Sequence, residues 1–104
     1  MQAKGETFML NQFQAYLVQK GYKEFSINGN PSTAIDYAWR IAKVCEKENY
    51  TAKQLADNIN TILELYGPKG EKWTTGRRSH HSYFQALRHF RKFILVQRFG
   101  GVNA

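Results

Sequence analysis

The sequence predicts an all-α protein, a four-helix bundle, and three observations carry that expectation. Apolar residues recur at three- and four-residue spacing in four separate segments. Those segments are bounded by residues that start and stop helices. No stretch shows the sustained alternation of a half-buried strand, and there is no internal repeat. The 104 residues fit one domain with a single modest core. A hydrophobic fraction of 42% suffices for that core and sets the chain apart from a disordered tail.

The first helix is expected over residues 7–20. Phe13, Tyr16, Leu17 and Lys20 follow helical spacing, and Gly21 supplies the left-handed residue that ends many helices. Residues 22–30 read as a loop marked by Asn28-Gly29-Asn30. An Asn-Gly pair also suits a hairpin turn, but no alternating strands flank it. The second helix is expected over 31–48. Asn30 is its cap and Pro31 its first residue, where a missing N–H costs nothing. Ile35, Ala38, Ala42 and Cys45 form its apolar face, widened by Ala34 and Ile41.

The third helix is expected over 51–66. Thr51 and Gln54 make a capping box, and Leu55, Ile59, Ile62, Leu63 and Tyr66 its buried stripe. Gly67-Pro68 stops it, and 68–76 reads as a mobile loop carrying Lys69, Lys72 and Trp73. The fourth helix is expected over 78–97 and should be the most buried. Its apolar face is Tyr83, Ala86, Leu87, Phe90, Phe93 and Ile94, broadened by Phe84 and Leu95. Gly100-Gly101 ends it, and 98–104 reads as a tail or linker.

The formal net charge is +7. Residues 1–66 hold seven basic and seven acidic side chains, whereas residues 67–104 hold eight basic ones against Glu71 alone, so the excess lies in the last third. Such an excess suits an anionic partner. On the fourth helix, His81, Gln85, Arg88 and Lys92 share a stripe opposite Tyr83, Leu87 and Phe90, with His89 at its edge. On the second, Asp36, Arg40, Lys43 and Lys47 share another, where an Asp36–Arg40 pair is a competing structural use of Arg40.

Double-stranded DNA asks for such ridges. Phosphates neutralised by Lys or Arg release counterions, and side chains on a helix in the major groove read base edges. Arg88, Gln85 and Arg40 suit groove contacts; Arg77, Arg78, Lys69 and Lys72 suit phosphates. Trp39 and Trp73 are of the type that stacks on bases, but packing into the core or a helix junction is the commoner use.

Three segments carry a family resemblance. They are Phe13-Gln14-Ala15-Tyr16-Leu17 through Gly21, Ser32-Thr33-Ala34-Ile35-Asp36-Tyr37 through Ile41, and Arg78 to Ile94 with its Tyr83-Phe84-Gln85-Ala86-Leu87-Arg88-His89-Phe90 run. In order and spacing the chain resembles the N-terminal core-binding domain of tyrosine recombinases, the phage-integrase type with a SAM-like four-helix fold. The likeness covers about residues 8 to 96. It implies a module of DNA integration and recombination that grips one face of duplex DNA with its second and fourth helices. The contact residues implied are Thr33, Arg40 and Lys43 on one side, and Arg77, Arg78, His81, Gln85 and Arg88 on the other.

Such recombinases cut with a tyrosine in a separate catalytic domain aided by a His-x-x-Arg motif. No His-x-x-Arg occurs in this chain. The expectation is therefore a non-enzyme without cofactor, metal or small-molecule substrate, either a fragment of an integrase or a stand-alone protein of a phage or mobile element. The rival reading is an interaction protein, whose basic face meets a recombinase, a nuclease or another acidic partner. RNA is disfavoured by the lack of strand-borne stacking aromatics.

His80, His81 and His89 lack neighbouring carboxylates that would complete a metal site, and Cys45 reads as core. One cysteine excludes an internal disulfide and fits a reducing cytoplasm. No apolar run approaches a membrane span, and Met1 to Leu10 lack a signal-peptide core.

Overall fold

Helix α1 (Lys4–Gln19) begins three residues before the expected start and ends on Gly21, as the sequence indicates. With φ at +100°, Gly21 takes the left-handed conformation that suits glycine. Two bonds close this end: Tyr22 N–H donates to the Leu17 carbonyl and Gly21 N–H to that of Val18, each at 3.0 Å. The computed structural model describes residues 4–73 and 82–99, and these are all-α. Among them are five helices and no strand, not the four helices expected.

Residues 22–31 are more ordered than a plain loop. Phe25 and Pro31 form an isolated antiparallel bridge. Within it Ser26 N–H donates to the Asn30 carbonyl at 2.8 Å, and Gly29 N–H to that of Ser26 at 2.9 Å. The Asn-Gly pair thus makes a miniature hairpin without flanking strands. Gln14 on α1 donates to the Glu24 carboxylate at 2.7 Å and holds the near side of this turn.

Helix α2 (Thr33–Glu48) therefore starts two residues later than the proline signal suggested. Pro31 is engaged in the hairpin, so Ser32 becomes the N-cap, extended at φ −120° and without a side-chain cap bond. The helix ends on left-handed Asn49 at φ 57°, with Tyr50 N–H donating to the Cys45 carbonyl at 2.9 Å.

The expected third helix is two. Helix α3 (Ala52–Asp57) opens with the predicted capping box: Thr51 Oγ1 accepts from Gln54 N–H at 3.1 Å, and Gln54 Oε1 from Thr51 N–H at 2.8 Å. Asn58 then leaves helical geometry. Its side-chain amide donates to the Gln54 carbonyl at 2.8 Å, offering that oxygen a partner outside the helix ladder. Helix α4 (Ile59–Tyr66) follows, and Gly67 stops it in an extended conformation. A Cβ at Gly67 would meet the Leu63 carbonyl oxygen at 2.8 Å and the Phe84 ring at 3.2 Å, which explains the glycine. Helix α5 (Ser82–Arg98) completes the set.

The core is aromatic where α1 meets α5. Phe13 is fully buried, edge-on to Phe90 at 5.2 Å and tilted against Phe93 at 5.5 Å. Leu17, Ile41, Val44, Leu55, Ile62, Tyr66 and Leu87 fill the rest. On α2 the buried stripe is Ala34, Ala38, Ile41, Val44 and Cys45, while Ile35 and Ala42 are only half-buried. The helix is thus turned from the expected stripe toward Val44, because it packs against α5 as well as α1. On α5, Ala86, Leu87, Phe90, Phe93 and Ile94 are buried as expected, Tyr83 and Phe84 are half-buried, and Leu95 is exposed.

The segment after α4 is folded in its described part. Gly70 N–H donates to the Gly67 carbonyl at 2.9 Å and Lys72 N–H to that of Leu65 at 2.9 Å. Trp73 packs edge-on against Phe84 at 5.8 Å. The described part of the expected loop, residues 68–73, is thus a run of turns held by these contacts. None of the described helices is long and apolar enough to cross a membrane.

Candidate nucleic-acid interface

Helices α2 and α5 pack against each other, and they run in opposite senses. Near the start of α2, Tyr37 stacks on His89, with ring centroids 5.1 Å apart. Near its end, the Lys47 ammonium lies 5.8 Å from the centre of the Tyr83 ring. The Arg40 guanidinium stands over the same ring at 5.7 Å. The turn of α2 toward Val44 explains this. It leaves Lys43 on the outer side and tilts Arg40 and Lys47 toward α5.

The α2 cations therefore meet α5 at Tyr83, across that helix from the Gln85, Arg88 and Lys92 stripe, and His89 is the residue of that stripe's edge that touches α2. Tyr22 and Tyr37 cover the His89 ring from one side, while Arg88 and Lys92 flank it on α5. Burial, then the charges of Lys92 and Arg88, push the His89 imidazole below the usual histidine range. Burial also pushes the Tyr37 hydroxyl up, as does Tyr22, with Arg40 opposing.

The candidate residues differ in what they already touch. On α2, Thr33 is the half-buried first residue. The Asp36–Arg40 pair that the spacing allows is not formed; Arg40 rests on the Trp39 and Tyr83 rings instead. Lys43 meets Glu46 at 3.2 Å. On α5, Arg88 is exposed, 5.9 Å over the Phe84 ring and 3.5 Å from Gln85 Oε1, and Lys92 is exposed. Lys69 is exposed on the rim of an apolar groove lined by Leu63, Pro68 and Phe84. Arg77, Arg78 and His81 lie outside the described residues.

Lys72 stands apart. Its ammonium donates to Glu48 Oε2 at 2.5 Å, and Tyr66 Oη donates to the same oxygen at 2.9 Å. Burial raises the Glu48 pKa, but these two donors outweigh it and hold the carboxyl below the usual glutamate range. In this structure Lys72 ties the segment after α4 to the end of α2, so the phosphate role expected from its loop position has a structural competitor.

Trp39 is the residue that sequence reasoning misplaced. It is 50% exposed, not in the core or a helix junction, and its ring carries Arg40 at 5.5 Å and Lys43 at 5.1 Å. The signal was present in the spacing. Trp39 precedes Lys43 by four residues and so shares its side of the helix.

Some cations have polar partners of their own. Lys53 and Arg98 both meet Asp57, and Arg91 donates to Asn60 at 2.9 Å. Among the described residues, Arg40, Lys47, Arg88 and Lys92 have no carboxylate within ion-pair distance. No group of three His, Cys, Asp or Glu is positioned to hold a metal among the described residues. Compared with known proteins, the chain matches no family, no curated protein and no solved structure.

Proposed function

We propose that this chain is a non-catalytic module that binds double-stranded DNA through the face formed by α2 and α5. One observation carries the reading. Helices α2 and α5, packed against each other, supply Arg40, Lys47, Arg88 and Lys92 without carboxylate partners among the described residues, while Lys53, Lys72 and, at the far end of α5, Arg98 are paired. Carboxylate-free cations release counterions when they meet phosphates, whereas paired ones must first break an ion pair. In this reading Arg88 and Gln85 present donors to base edges, with Arg40 beside them. Lys47, Lys69 and Lys92, joined by Arg77 and Arg78, follow the backbone.

The likeness to recombinase core-binding domains supports the same reading and suggests DNA integration or recombination as its setting. With one cysteine, the fold asks for no disulfide, and we place its work in the cytoplasm.

Binding of a fluorescein-labelled duplex, followed by anisotropy over a range of salt, tests the proposal. Affinity should fall linearly on a log–log plot, with a slope of about −0.9 per phosphate contacted. No binding at low salt would defeat it. The rival is an acidic protein partner on the same basic face; excess duplex should displace such a partner if the face is shared.

A further inference from the structure

Trp39 is a large aromatic side chain on the outer side of α2, half exposed, with Arg40 and Lys43 both at its ring. Its indole N–H is a donor with no lone pair to accept in return, and among the described residues it has no acceptor. The ring also holds its neighbours. Lys43 Nζ at 5.1 Å and Arg40 Cζ at 5.5 Å from the centroid are drawn to the π-system, so two long side chains lose part of their freedom before any ligand arrives. Lys43 also touches the Glu46 carboxylate at 3.2 Å, an i,i+3 pair with side chains 38% and 67% exposed. Exposed pairs of this kind are weak and screened by salt. Glu46 thus shows that an anionic oxygen is accommodated beside this lysine, and a stronger anion can replace it.

Resting on the DNA-binding reading, we propose that Trp39, Arg40 and Lys43 together seat one phosphodiester group of the duplex. The indole N–H donates to a non-bridging oxygen, and the two cations supply the charge. The contact is independent of base sequence, because every nucleotide carries the same group. Trp39 adds a neutral donor, so it contributes affinity without releasing a counterion of its own. This separates it from its neighbours. Removing Arg40 should weaken binding and flatten the salt dependence, while removing the indole N–H should weaken binding and leave the salt dependence as it is.

The test starts from Trp73→Phe, which leaves Trp39 as the chain's one remaining tryptophan. Trp39 emission should change as duplex of mixed sequence is added, in step with the anisotropy of the labelled duplex. Trp39→Phe keeps the ring under the cations but removes the donor, and should weaken binding roughly fivefold with an unchanged salt slope. Trp39→Tyr, which restores a donor at the ring edge, should recover part of the loss. Duplex binding with flat Trp39 emission and wild-type affinity in Trp39→Phe would overturn the proposal and leave the DNA-binding reading intact. Absence of any duplex binding would overturn both.

Discussion

The Lys72 ammonium meets Glu48 Oε2 at 2.5 Å, bridging from the segment after α4 to the last residue of α2. Glu48 is nearly enclosed, with its side chain 13% exposed, and Tyr66 is buried against it. Removing Lys72 leaves that carboxylate with a neutral donor alone. Lys72→Met should therefore cost about 1–3 kcal/mol of stability, read as a lowered midpoint in urea. Duplex affinity should change little, which separates this lysine from the cations of the α2–α5 face.

Arg40 and Arg88 have the opposite character, with rings beneath them and no carboxylate at ion-pair distance among the described residues. The double change Arg40→Ala and Arg88→Ala should weaken duplex binding at least tenfold, equal to about 1.4 kcal/mol, and reduce the salt slope by about two contacts' worth. The melting temperature should hold. Lys53→Ala, on α3 and paired with Asp57, is the control expected to leave binding unchanged.

His89 gives the fold a pH dependence. Its pKa is lowered in the folded state, so the unfolded chain binds the proton more readily. Its contribution to stability is full above about pH 6.5, the unfolded value, and is lost as pH falls through the folded value. Glu48 is also lowered, but from 4.5, so its loss comes in more acidic solution. Thermal midpoints taken from about pH 7.5 to about pH 5 should decline. In His89→Phe, which keeps a ring against Tyr22 and Tyr37, that part of the decline should disappear.

Phe13 is the centre of the aromatic core, in contact with both Phe90 and Phe93. Phe13→Ala should cost about 3–5 kcal/mol, a large part of the stability of so small a domain. Loss of the cooperative melting transition, or a shift of many degrees, is the expected result by circular dichroism. Gly21→Ala should be milder, about 1 kcal/mol, since nothing crowds the position and only its positive φ is strained.

How far this fold could be read in advance followed the range of the interactions concerned. The Gly21 stop and the Thr51–Gln54 box involve neighbours a few residues apart, and both occur where the sequence indicates. The burial of Phe90, Phe93 and Ile94 followed from the period of α5. Pro31 misled because its role depends on Phe25, six residues away and outside the helix it was expected to begin. Asn58 was hidden because the apolar period continues through it, while its own amide competes for the Gln54 carbonyl. The turn of α2 toward Val44 required knowing that α5 would lie against it. The candidate interface divided in the same way. Its stripes were legible from spacing, but only long-range contacts distinguish Lys72, bound to Glu48, from Arg88, which meets no carboxylate among the described residues.

Cys45, the one cysteine of the chain, lies buried on the inner side of the helix that carries Trp39, Arg40 and Lys47. A thiol reagent can reach that sulfur only when α2 lifts or the molecule unfolds. Alkylation kinetics thus act as an intrinsic clock for the opening of this helix. Because a ligand that grips only the closed form suppresses opening by mass action, duplex should slow the clock in proportion to its occupancy. The same molecule, without label or mutation, then reports in one trace how firmly it is shut and how firmly it is held.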